Sequence, residues 1–104
     1  MSRPAYKAYV NKAFRFYFRN PHYIEQPDVD KTSASYLNWT ACDEIVSGLS
    51  RDDHDALAYV YITEADMPEA VRTVAREYRK SGENEAWAFL NRVTRKFAEN
   101  RKLV

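Results

Sequence analysis

The sequence predicts an all-α protein: a compact bundle of about five helices with a helix-turn-helix at its C-terminal end. Three observations carry this. Apolar residues recur at three- and four-residue spacing along most of the chain. Two stretches open with a helix-capping signal. The 104 residues include only 2 Gly and 4 Pro, too few for turn-rich β architectures or phosphate-cradling loops. The length suits a single domain, 1–104. At 45% hydrophobic and 30% charged, the chain can bury a core, yet no apolar run approaches the roughly 18 residues of a membrane span. Lone Cys42 excludes an intramolecular disulfide and fits a reducing compartment. The first residues lack the apolar region of a secretory signal, so the expected location is cytoplasmic.

Helix 1 is expected at about 4–19, with Pro4 in the first turn, where its missing N–H is harmless. Tyr6, Tyr9, Val10, Ala13, Phe16 and Tyr17 share one face, and Lys12, Arg15 and Arg19 lie opposite. Asn20-Pro21 ends it, because the residue before proline avoids the α region. Residues 21–31 contain two prolines and no helical period, which predicts an irregular connection. Helix 2, about 33–47, stacks Leu37, Ala41 and Ile45, with Trp39, Cys42 and Val46 widening the apolar surface. Gly48 is expected to close it in the left-handed conformation, followed by Leu49. Ser50-Arg51-Asp52-Asp53 resembles a capping box for helix 3, about 51–62, which turns His54, Leu57, Val60 and Tyr61 inward.

Asp66-Met67-Pro68-Glu69 repeats the start signal for helix 4, about 67–80. Val71, Val74, Ala75 and Tyr78 form its inward face, with Arg72, Arg76 and Lys80 largely away from it. Ser81-Gly82-Glu83 makes a short break. Helix 5, about 84–101, places Ala86, Leu90, Val93 and Phe97 in a narrow stripe. Phe14, Phe18, Trp39 and Tyr59 fall off the centres of their apolar faces and read as peripheral aromatics, a kind enriched at protein interfaces. A homodimer through helix 1 or 2 is compatible with them.

The net charge of +1 conceals a pattern. Residues 1–19 carry five bases and no acid, residues 20–68 two bases against ten acids, and residues 69–104 nine bases against five acids. Partner electrostatics follow local fields, because screening sets in over about 8 Å at physiological salt. Either the segments neutralise one another within the fold, or a basic face remains.

Catalytic signals are weak. His22 and His54 have no cysteine or second histidine at metal-ligand spacing, and Cys42 lacks the signature of an activated nucleophile. The acids around His54 suit a helix N-terminus better than a cation. No enzyme, metal or cofactor is expected. Helix 5 is more informative, since the face opposite its apolar stripe holds Asn84, Ala88, Asn91, Arg92, Arg95 and Lys102, with Glu99 the only acid. Asn and Arg can make paired hydrogen bonds to adenine and guanine edges, and Ala permits close approach. Lys80 and Ser81, at the turn before it, have the chemistry to hold a phosphate.

Residues 49–103 resemble the region 4 helix-turn-helix of sigma-70-type factors and the small phage regulators that share it. Leu49-Ser50 opening a capped helix with Leu57 and Tyr61 resembles the family's first helices, and Val71-x-x-Val74-Ala75-x-x-Tyr78 its supporting helix. Ser81 stands where the family commonly has a serine before the recognition helix, and Ala98 to Leu103 resembles its basic tail. Two positions depart: Arg79 stands at the usual turn glycine, with Gly82 after the serine, and Ala86-Trp87 replaces an early β-branched residue. The resemblance implies binding to promoter-type double-stranded DNA, with helix 5 in the major groove. RNA polymerase or another protein is a further partner on this view.

The resulting expectation is a small sequence-specific transcriptional regulator, of phage or mobile-element type, with its helix-turn-helix in 67–101. Asn84, Ala88, Asn91 and Arg92 would read bases, and Arg76, Arg79, Lys80, Ser81 and Arg95 would engage the backbone. The alternative is a helical interaction module, an inhibitor or adaptor that docks on a larger protein through its acidic middle and peripheral aromatics.

Overall fold

Local capping chemistry sets where most helices begin. In the computed structural model, which describes residues 6–79 and 81–104, α1 runs Lys7–Arg19, α2 Ala34–Ser47, α3 Arg51–Ile62, α4 Met67–Thr73 and α5 Glu83–Asn100. The Ser33 hydroxyl accepts from the Tyr36 N–H at 3.1 Å, Ser50 from Asp53 at 3.2 Å, and the Asp66 carboxylate from Glu69 at 2.9 Å. Each satisfies one of the amide donors that a helix start leaves without an internal partner. Pro4 and the start of helix 1 as expected lie outside the described residues. The irregular connection contains a single 3-10 turn, Tyr23–Glu25.

Helix ends depart further from expectation. Gly48 caps α2 at φ −89°, in the right-handed region and not the left-handed one. Its N–H and that of Leu49 donate to the carbonyls of Ile45 and Val46, so the orphan acceptors are met by tight turns without a positive φ. The expected continuous helix 4 is interrupted: after Thr73, residues Val74–Tyr78 form a π-helical turn. The Arg79 N–H reaches back to the Val74 carbonyl at 2.9 Å, and Ser81 to Ala75 at 2.7 Å. Lys102 adopts φ 56° beyond the end of α5, so it does not extend the helical face on which it was expected.

One core serves all five helices of the described residues. α1 lies across α2, α3 and α5, and α4 packs between α3 and α5. Phe14, fully buried, stacks on Tyr61 at 5.3 Å between ring centroids and meets Phe97 at 5.7 Å. This corrects its reading as a peripheral aromatic, and Trp39 is likewise buried, its indole N–H donating to the Asn20 carbonyl at 2.9 Å. The centre of the α1 face is therefore Val10, Ala13 and Phe14, with Tyr9 displaced to the rim. Leu37 and His54, both expected inward, are exposed. Polar ties fasten the periphery: Tyr17 donates to Asp43 at 2.7 Å, and Tyr61 to Asn11 at 2.9 Å. Arg101 and Tyr9 are linked through the side chain of Asn38.

Candidate nucleic-acid interface

Helix α5 separates cleanly into two faces. Ala86, Phe89, Leu90, Val93, Thr94, Phe97 and Ala98 are buried against the other helices. Asn84, Ala88, Asn91, Arg92 and Arg95 are all exposed on the outward face. The helical repeat that buries the first set projects the second, so the face is a direct product of the apolar stripe. The sequence-predicted base-reading residues are thus brought together on one rigid element. Arg95 is partly engaged by Glu99, one helical turn on, at 3.3 Å, an exposed pair of little energetic weight.

The backbone-contacting residues are placed less uniformly. Arg76 is exposed, beside Glu77 at 3.2 Å. With Arg72, Ala75, Ser81, Gly82 and Glu83 it lines a concavity of about 500 Å³ at the α4–α5 turn. Ser81 is half-buried, and its hydroxyl has no hydrogen-bond partner among the described residues. Lys80 lies outside the described residues. Glu83 and Glu85 occupy the first turn of α5, where they complement the helix dipole and flank Asn84 with negative charge.

Arg79 does something different from what the sequence implied. Its side chain is only 13% exposed, and the guanidinium pairs with Asp53 at the start of α3 and with Glu85 of α5 at 3.0 Å. The cation lies 4.4 Å from the centre of the Phe89 ring, a favourable electrostatic arrangement. Committed to two carboxylates and an aromatic face, Arg79 ties three elements together and is not presented to a phosphate. Its partner Asp53 is 26 residues away, beyond any local pattern.

Arg79–Asp53 is also the one ion pair, among the described residues, that joins the basic C-terminal part to the acidic middle. Lys96, which the sequence reading of the face passed over, is exposed one turn beyond Arg92. The four-residue spacing of these two bases was a signal present in the sequence.

Elsewhere, burial governs the reactive groups. The Cys42 thiol is held above its usual range, first by burial and then by the neighbouring Asp43 carboxylate, which disfavours the nucleophilic thiolate. Burial also raises the phenols of Tyr61 and Tyr17, the latter helped by its hydrogen bond to Asp43. No described helix is long and apolar enough to cross a membrane. No protein-family model matches the chain, and neither does any curated protein or solved structure.

Proposed function

We propose that this chain is a small double-stranded-DNA-binding transcriptional regulator in which α4, the following turn and α5 work as a helix-turn-helix. The observation that carries the reading is the outward face of α5, where Asn84, Ala88, Asn91, Arg92 and Arg95 are displayed together on a helix anchored by its opposite side. Asn and Arg on such a face supply the paired donors and acceptors that distinguish bases in a major groove. Arg76 and Arg95 would meet phosphates, whereas Arg79 would act from beneath by fixing α5 against α3. Binding across two half-sites would call for a second copy, and a regulator of this kind would also meet RNA polymerase.

The test is titration of duplex DNA, first as a randomised pool for selection and then as the selected site, at two salt concentrations. Saturable binding that weakens with salt is expected, with the logarithm of affinity falling by about 0.9 per neutralised phosphate for each unit of log salt. Absence of binding at low salt, or binding indifferent to salt, refutes the reading. A second reading, a helical module that docks on a larger protein, is favoured by the hollow of about 480 Å³ formed by Asp55, Ala58, Tyr59, Ile62, Thr63 and Tyr78. Ile62 is 52% exposed there. A stoichiometric protein complex with no duplex binding would select it.

A further inference from the structure

Between the C-terminal end of α2 and one edge of α5 lies a hollow of about 300 Å³, lined by Ile45, Gly48, Leu49, Phe89, Arg92, Val93 and Lys96. Its floor is apolar: Ile45, Phe89 and Val93 are buried core residues, and Leu49 packs beside them. Its rim is basic. Arg92 and Lys96 are exposed one helical turn apart, neither has a carboxylate within ion-pair distance among the described residues, and no acid lines the hollow.

Gly48 supplies an independent observation. Its φ of −89° is open to any residue. A Cβ there would meet only the carbonyl oxygens of Ile45 and Glu44, at 3.6 and 4.0 Å, which are ordinary contacts. Neither a left-handed backbone nor crowding demands glycine at this helix end. Gly48 lines the hollow without a side chain to project into it.

We propose that this groove docks an acidic amphipathic helix of a partner protein. An apolar side chain of that helix enters the hollow, and two carboxylates one turn apart meet Arg92 and Lys96. The volume lies at the lower limit for small-molecule pockets and suits an anchoring side chain presented by a helix laid in a groove. The paired bases match acids at four-residue spacing on such a helix. Docking does not depend on the DNA reading. One consequence does rest on it: Arg92 belongs to both surfaces, so the docked helix and the duplex compete.

The experiment uses the full chain and a fluorescent, helix-stapled peptide of about sixteen residues, long enough to hold a helix once stapled. It carries leucines at i, i+4 and glutamates along the adjacent edge. Anisotropy should report saturable binding at low salt. Gly48→Leu, which fills the hollow, and Lys96→Glu, which reverses the rim, should each weaken it at least tenfold with an unchanged circular dichroism spectrum. Peptides with Gln for Glu, or Ala for Leu, should lose binding to the same degree. Gly48→Leu should leave duplex affinity within twofold, which separates failure here from failure of the DNA reading. The proposal is overturned by no saturable binding up to millimolar peptide, by equal binding to folded Gly48→Leu, or by equal binding of the Gln peptide. A dimer that dissociates in Gly48→Leu would assign the groove to a second copy and overturn it equally.

Discussion

Removing Arg79 tests whether this base is a structural tie or a phosphate ligand. Arg79→Met keeps most of the aliphatic length and deletes the charge. The pair with Asp53, whose side chains are 13% and 32% exposed, is partly screened, so its loss is worth about 1–2 kcal/mol, below the range for a fully buried pair. Glu85 is 56% exposed, which limits that contact to about 0.5 kcal/mol. The stacking on Phe89 adds about 0.5–1 kcal/mol. Against these stands the buried Nε, which has no partner among the described residues; deleting it recovers about 1 kcal/mol. The expected net destabilisation is about 1–2.5 kcal/mol, and about 1 kcal/mol more for Arg79→Ala, which also removes packing. Urea denaturation followed by circular dichroism measures it, and a double-mutant cycle with Asp53→Asn should return a coupling of about 1 kcal/mol. The cycle with Glu85→Gln should return less than half of that. Zero coupling to Asp53, together with a reduced salt dependence of DNA binding in Arg79→Met, would refute the structural role.

Phe14→Ala should cost about 3–5 kcal/mol in the same denaturation assay, because Phe14 is fully buried against Tyr61 and Phe97; a peripheral ring would cost under 1 kcal/mol by the same measure. The raised phenol of buried Tyr61 makes stability fall at alkaline pH. The folded state keeps its proton while the unfolded state loses it, so the contribution is complete below about pH 10 and declines by about 1.4 kcal/mol per pH unit above it. Tyr61→Phe should flatten that decline in pH-dependent unfolding, and half-exposed Tyr17 should contribute less. For DNA, Arg92→Ala should cost about 1–3 kcal/mol on the preferred site and reduce discrimination between sites, whereas Arg76→Ala should weaken all sequences alike, both read in competition binding.

The parts of this fold that were legible in the sequence are those with short-range causes. Ser50 and Asp66 cap amides three residues ahead, so the starts of α3 and α4 follow from tetrapeptides. The two faces of α5 follow from a regular stripe on a helix that turns one side to the core. Where several neighbours compete, averaging fails: α1 is embraced by α2, α3 and α5, and the true centre of its buried arc includes Phe14 while Tyr9 is left at the edge. Arg79 was misplaced for a related reason. A base in a turn beside a basic helix has the same local signature whether it faces solvent or a carboxylate, and the deciding acid sits in α3. Gly48 illustrates the converse, since glycine at a helix end signals a left-handed cap only when the carbonyls require one, and here tight turns satisfy them.

The π-helical turn at Val74–Tyr78 bears on how this chain tolerates changes in length. A π turn accommodates one residue more than an α-helical turn over the same rise, so the two ends of the α4 segment are out of phase. The upstream end keeps Ala70 and Val71 in the core, while the downstream end is rotated to aim Arg79 at Asp53. A one-residue deletion within 74–78 would be absorbed by reversion to ordinary α-helix, leaving both α4 and Arg79 seated, whereas winding the full-length segment as unbroken α-helix would swing Arg79 away by about 100°. The bulge therefore works as a vernier between two packed halves, setting the angle of the link to α5 without moving the core that supports it.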